Sequence, residues 1–181
     1  MANKTSARIK RMTVSAMLIA LGVLFLWLGS LLDVLDLSTA ALAAILVVYA
    51  VLELGGLYPF ALWLGTSFLG LLLLPQKSPA LAYALFAGYY PALKATLEKH
   101  LSRLLAWVLK FSAFALSVGA FLLLLKLFFP GSLSEYAVYS WMPPVLAALA
   151  LLCFVVYDIA LTRLILVYYA KLQKHFGLDK K

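Results

Sequence analysis

The sequence has few charged residues and almost no cysteine. Of its 181 residues, 12% are charged, 66% are hydrophobic and one is cysteine. In a soluble globular protein about a quarter of the residues are charged and about half are apolar. This composition therefore excludes a water-soluble protein. The single cysteine, Cys153, excludes an intramolecular disulfide and a cysteine-based metal cluster.

Motifs of membrane-bound enzymes are also missing. The sequence has no H-E-x-x-H, no G-x-S-x-G and no aspartate-rich phosphotransferase box, and its histidines, His100 and His175, lie in basic segments. Thr66 and Ser67 lie in an apolar segment without a histidine to activate them, so we expect both to hydrogen bond to helix backbone or to a neighbouring helix. The sequence therefore predicts no enzyme, no catalytic residue, no cofactor and no metal.

Six apolar segments are separated by helix start and stop signals. Ser38 or Thr39 can cap the second segment, Gly55 and Gly56 end it, and Pro59 lies in the first turn of the third. A membrane-spanning helix needs about 20 mostly apolar residues. We therefore expect an all-α fold, a polytopic membrane bundle of six transmembrane helices forming one integral membrane domain over residues 1–181, with spans at 13–32, 38–54, 58–74, 79–95, 104–129 and 144–170.

The basic residues flank the apolar segments. Lys and Arg number 15 against 7 Asp and Glu, a net charge of +8, which in a soluble protein would indicate nucleic acid. At membrane-flanking positions these residues set orientation and contact anionic lipid, so we expect lipid and no nucleic acid as a partner. A cytoplasmic N-terminus puts eleven of them inside and only Lys77 outside. This bias predicts a multi-pass protein of the cell membrane with both termini cytoplasmic.

Ionisable residues inside apolar segments are energetically costly and are therefore candidates for function. Asp158 lies in the sixth segment, and Lys110 lies at a similar depth in the antiparallel fifth segment. We expect an intramembrane ion pair between them, with Arg163 as the alternative partner of Asp158; a proton or cation path is the functional alternative. At the inner end of the second segment, Glu53 is expected to face Lys94.

The connection 130–143 is the least apolar stretch outside the tails. Ser132 and Glu135 have the spacing of a capping box, and Tyr136, Tyr139 and Trp141 follow. One interpretation is a short helix at the lipid headgroups with an aromatic belt. The other is a lid over an external pocket.

Small residues one helical turn apart allow helices to approach closely in a membrane. Ala16 and Ala20 have this spacing in the first segment, and Ala40 and Ala44 have it in the second. The chain combines the pair Ala16 and Ala20 with six short expected spans, both ends inside and a basic N-terminal tail. In these features it resembles the bacterial substrate-binding S components of energy-coupling factor (ECF) vitamin transporters. The resemblance implies that Ala16 and Ala20 contact a transmembrane coupling subunit.

The same resemblance implies an external pocket for a small-molecule substrate. Its expected contacts are the polar and aromatic residues at the external ends of the segments: Asp33, Asp36, Lys77, Glu135, Tyr136, Tyr139 and Trp141. Because the sequence has no P-loop, ATPase subunits would have to be separate partners. The expected function is the membrane-embedded substrate-binding subunit of an ATP-driven importer. The alternative is a structural or assembly subunit of a larger membrane complex.

Overall fold

The computed structural model describes residues 2–32, 35–128, 142–168 and 170, and nearly all of them are helical. Two π-helical segments, π1 (Ala50–Leu54) and π2 (Tyr83–Ala87), continue α2 and α4. Within the described ranges no residue lies in a β-strand, so the predicted all-α fold is confirmed. The described residues form seven α-helices: α1 (Ala2–Leu31), α2 (Asp36–Tyr49), α3 (Tyr58–Leu73), α4 (Ser78–Ala82), α5 (Tyr90–His100), α6 (Arg103–Phe128) and α7 (Met142–Val167).

In the part of the chain that the structure describes, four helical stretches are long and apolar enough to cross a membrane, namely Arg8–Leu31, Asp36–Leu54, Leu104–Leu124 and Pro144–Val167. α3 is also apolar but has only 16 residues. Large apolar side chains such as Leu64, Phe68 and Leu116 are more than 60% exposed, which suits contact with lipid rather than water. These features confirm the membrane helix bundle. The count of six spans and the cytoplasmic termini stay predictions.

The fourth predicted span is not one regular helix. The segment 79–95 consists of α4, π2, a turn at Gly88 and the start of α5. The backbone N–H of Gly88 donates to the carbonyl of Tyr83 at 2.7 Å, which closes the π-helical turn. Pro91, which has no N–H to donate, lies in the first turn of α5. Hydropathy alone does not reveal this interruption because every part of the segment is apolar.

The chain forms two compact units, unit 1 (Met1–Lys110) and unit 2 (Phe111–Lys181). The boundary falls within α6, and the prediction of a single domain over 1–181 stays a prediction. In unit 2, Phe154 of α7 is buried and packs against Phe111 and Phe114 of α6, with ring centroids 5.4 and 4.7 Å apart. These contacts join the two helices of unit 2.

In unit 1, α2 packs against α1, α3, α4, π2 and α5. Its buried face consists of small and β-branched residues: Thr39, Ala40, Ala43, Ala44, Val47 and Val48. Gly22 of α1 faces Thr66 of α3 and Leu46 of α2, whereas Gly29 faces Thr39. This register makes α1 antiparallel to α2. Small side chains at these positions let the helices approach closely.

α1 contacts the C-terminal end of π1, the continuation of α2. The guanidinium of Arg11 donates to the carbonyl of Leu54, the last residue of π1, at 3.2 Å. Gly55 and Gly56 follow with φ of 63° and 59°, a left-handed conformation that favours glycine. The predicted stop at these two glycines is confirmed.

Gly29 tests how tightly α1 and α2 pack. A Cβ at Gly29 would overlap the hydroxyl of Thr39, which is engaged with the carbonyls of Leu35 and Asp36 at 3.1 and 3.2 Å. Overpacking costs about 1 to 3 kcal/mol, more than the helix propensity that Ala gains over Gly, about 1 kcal/mol. We expect Gly29→Ala to lower the free energy of unfolding by up to about 2 kcal/mol, measured by denaturation in detergent micelles.

The control for this experiment is Gly119→Ala in α6, because nothing lies within 4 Å of a Cβ at Gly119. This variant should unfold like the parent or slightly later. Thr39→Ala in the Gly29→Ala background should restore most of the lost stability. A Gly29→Ala protein as stable as Gly119→Ala would contradict the close contact between α1 and α2.

Candidate functional site

Most of the predicted substrate contacts lie outside the residues that the structure describes. This applies to Asp33, Glu135, Tyr136, Tyr139 and Trp141. Asp36 lies in the first turn of α2, and its Oδ1 is buried without a hydrogen-bond partner among the described residues. Lys77 is exposed just before α4, and its ammonium donates to the carbonyl of Leu74 at 2.5 Å. The alternating helix directions place both residues at the same end of unit 1.

The two alanine pairs have opposite environments. Ala40 and Ala44 of α2 are buried in the centre of unit 1, whereas Ala16 and Ala20 of α1 are exposed. Ala40 and Ala44 therefore serve the internal packing of unit 1. Ala16 and Ala20 leave a shallow face on α1 that no described residue covers.

The predicted intramembrane ion pair joins residues of different units. Lys110 belongs to unit 1, and Asp158 and Arg163 belong to unit 2. Lys110 and Asp158 are both 3% exposed, whereas Arg163 is exposed. Their pairing stays a prediction, as does a contact between Glu53 and Lys94.

Within unit 1, Lys110 contacts a carboxylate that the sequence interpretation missed. Its ammonium lies 2.6 Å from Oε1 of Glu98, and the ammonium of Lys94 lies 3.2 Å from the same atom. Lys94 is 1% exposed, whereas the side chain of Glu98 is 45% exposed. Lys110 also lies 5.0 Å above the ring of Trp107, within the range of a cation–π interaction. We call Lys94, Glu98, Trp107 and Lys110 the lysine–glutamate cluster.

A second cluster lies beside π2. The indole N–H of Trp63 donates to the carbonyl of Ala84 at 3.1 Å, which fixes α3 against π2. Thr66 and Ser67 follow Trp63 by three and four residues and therefore share its face of the helix. Thr66 is fully buried, and its side chain lies near the buried phenol of Tyr83, the first residue of π2. We call Thr66, Ser67 and Tyr83 the hydroxyl cluster.

The aromatic segment after π2 closes this cluster from one side. A Cβ at Gly88 would lie 2.6 Å from Cδ1 of Trp63 and 2.7 Å from the ring of Tyr83. Tyr89 packs edge-on against Trp63 at 6.0 Å between ring centroids, and Tyr90 is fully buried. Gly88, Tyr89 and Tyr90 thus have a structural role that the sequence did not reveal.

The hydroxyls of the cluster differ from the other buried hydroxyls of the helices. Those of Ser15, Ser30, Thr39 and Ser117 each donate to a carbonyl three or four residues earlier in their own helix, at 2.8 to 3.2 Å. Among the described residues, the buried hydroxyls of Thr66, Ser67 and Tyr83 have no hydrogen-bond partner in good geometry. Thr66 and Ser67 therefore make no bond to their own helix. Because Tyr83 of π2 lies beside Thr66, the expected bond to a neighbouring helix stays a prediction.

The hydroxyl cluster lies near the middle of α3, between charged residues at the two ends of unit 1. Along the helices that meet there, Arg11 lies eleven residues from Gly22, and Lys77 and Lys94 lie six and eleven residues from Tyr83. At 1.5 Å per residue the nearest of these backbone positions is roughly 9 Å away. The cluster therefore offers neutral hydrogen-bond donors and acceptors rather than charge.

Comparison with known proteins adds no relative. No protein-family model matches the chain, and neither a curated protein nor a solved structure is detectably similar to it. The long apolar helices and their exposed apolar faces define the class of this protein as an α-helical membrane protein.

Proposed function

We propose that the chain is the substrate-binding subunit of an ATP-driven importer of a small, vitamin-like molecule, similar to the S components of ECF transporters. It would be a multi-pass protein of the cell membrane and would work with a transmembrane coupling subunit and separate ATPase subunits. This proposal includes no catalytic role for the chain.

The observation that supports the proposal is the exposed alanine pair of α1. Ala16 and Ala20 have the same spacing as Ala40 and Ala44, but only Ala40 and Ala44 are buried in the packing of unit 1. In a membrane, association of helices depends on van der Waals packing, and small residues let two backbones approach. A coupling subunit with a helix against Ala16 and Ala20 would use the face that unit 1 leaves uncovered.

The test is the double variant Ala16→Leu/Ala20→Leu, purified from its native membrane with a tag. We expect the parent to co-purify with ATPase subunits that carry a P-loop, and the variant to lose them while its unfolding temperature stays unchanged. The double variant Ala115→Leu/Ala120→Leu is the control, because it adds equal bulk at two exposed alanines of α6.

Two results would contradict the proposal. If the Ala16→Leu/Ala20→Leu variant keeps its ATPase subunits, the pair is not the coupling surface. If the parent co-purifies only with membrane proteins that have no P-loop subunit, the chain is a structural or assembly subunit. Mass spectrometry of the purified complexes distinguishes these outcomes.

A further inference from the structure

The hydroxyl cluster has an arrangement that internal packing alone does not explain. In a helix, a Thr or Ser hydroxyl is readily satisfied by a carbonyl of the preceding turn, as it is at Ser15, Ser30, Thr39 and Ser117. Thr66 and Ser67 forgo this bond although they are 0% and 6% exposed. A buried hydroxyl without a partner costs about 1 to 3 kcal/mol, so neighbouring buried hydroxyls without one point to a group that the described residues do not supply.

The position of Tyr83 gives a second, independent indication. Its phenol is fully buried, its oxygen has no partner in good hydrogen-bond geometry among the described residues, and the side chain of Thr66 lies beside it. Tyr83 opens a π-helical turn that is fixed to α3 by the bond from Trp63 to Ala84. π-helical turns are frequent at functional sites, and this one holds the phenol beside Thr66.

We propose that the hydroxyls of Thr66 and Tyr83 together bind one small neutral hydrogen-bonding group inside unit 1. Each hydroxyl can donate one hydrogen bond and accept others, so a single group between them can satisfy both. The group is small because α1 approaches closely here: a Cβ at Gly22 would lie 3.0 Å from Cγ2 of Thr66. It is neutral because the charged residues of the adjoining helices lie toward the two ends of unit 1.

Two sources have this chemistry, a bound water molecule and the hydroxyl or carbonyl group of a small organic molecule. A buried water needs two to four polar partners, and the third hydroxyl of the cluster, that of Ser67, lies on the same face of α3. The proposal does not depend on the transport function proposed above, because it concerns the interior of unit 1 rather than the face at Ala16 and Ala20.

The test uses the variants Thr66→Val and Tyr83→Phe, which remove one hydroxyl each with little change of shape. If both hydroxyls hold one bound group, each variant loses a hydrogen bond, and the unfolding temperature in detergent should fall by about 2 to 4 °C. The double variant should lose less than the sum, because both hydroxyls act through the same group.

The control is Thr39→Val, because the carbonyl of Leu35 keeps its bond from the backbone N–H of Thr39 at 2.9 Å. This variant should change the unfolding temperature by less than about 1 °C, since both carbonyls that face the hydroxyl have backbone donors within α2. Native mass spectrometry of the purified proteins separates the two sources. A bound mass present in the parent and absent from the double variant identifies an organic molecule. Without such a mass, a crystal structure of the parent decides: a water molecule within hydrogen-bond distance of both hydroxyls identifies water, whereas a direct bond between the hydroxyls of Thr66 and Tyr83 overturns the proposal.

The sign of the shift decides the proposal. Removing a hydroxyl that has no partner relieves its desolvation penalty and stabilises a protein. Higher unfolding temperatures for both Thr66→Val and Tyr83→Phe, or fully additive losses in the double variant, would overturn the shared site. Loss of ATPase subunits from the complex has no bearing on this result, so the two proposals fail separately.

Discussion

Glu98→Gln is expected to lower the free energy of unfolding by about 3 kcal/mol. The substitution removes the carboxylate that both Lys94 and Lys110 contact, at 3.2 and 2.6 Å. Both lysines are at least 97% buried, and breaking a buried ion pair typically costs about 3 to 5 kcal/mol. The exposure of Glu98 on one side places the expected loss at the lower end of this range. Denaturation of the purified protein in detergent micelles measures it.

Removing one of the buried charges should reverse part of this loss. We expect Lys94→Met in the Glu98→Gln background to recover stability, because one fewer ammonium then lies in the interior. Lys99→Gln is the control, since Lys99 is exposed next to Glu98 and surface substitutions change stability by less than about 0.5 kcal/mol. Equal stability of Glu98→Gln and Lys99→Gln would show that the lysines do not depend on this carboxylate.

Gly88→Ala is expected to destabilise unit 1 by about 2 to 3 kcal/mol. The new methyl group would meet the rings of Trp63 and Tyr83 at 2.6 and 2.7 Å. Neither ring can move easily, because Trp63 is hydrogen bonded to Ala84 and Tyr83 is fully buried. Overpacking of this kind costs about 1 to 3 kcal/mol. The loss of stability in detergent should be accompanied by a change in tryptophan fluorescence.

Gly119→Ala again provides the matched control, because its added methyl group enters open space. Gly88→Ala should also weaken the binding of any group held by the hydroxyls of Thr66 and Tyr83, because the ring of Tyr83 must shift. A Gly88→Ala protein with parental stability and fluorescence would contradict the packing of α3 against π2.

The helices and their ends were predictable because they depend on local properties. Apolar runs of sufficient length, the glycines at 55 and 56, and the proline in the first turn of α3 act within a few residues of their own positions. The contact of Lys94 with Glu98 was also within reach of the sequence, because residues four apart on a helix face each other. It was missed because Lys94 was assigned to Glu53.

The interruption of the fourth span was harder to predict. A π-helical turn adds one residue to a helical turn and leaves the apolar character of the segment unchanged. In this protein π2 is stabilised by a contact from another helix, the bond from Trp63 to the carbonyl of Ala84. These partners lie twenty-one positions apart in the sequence, so no local pattern reveals their contact.

The sequence by itself determined that this is a helical membrane protein and where most of its helices end, since these properties depend on composition and on neighbours along the chain. Only the tertiary structure decided that Ala40 and Ala44 are buried while Ala16 and Ala20 are exposed. It also decided that, among the described residues, the hydroxyls of Thr66 and Ser67 make no hydrogen bond to their own helix. The physical reason is that the rotation of a helix about its axis and the rotamers of its side chains are set by the helices packed against it, and hydropathy contains no information about them.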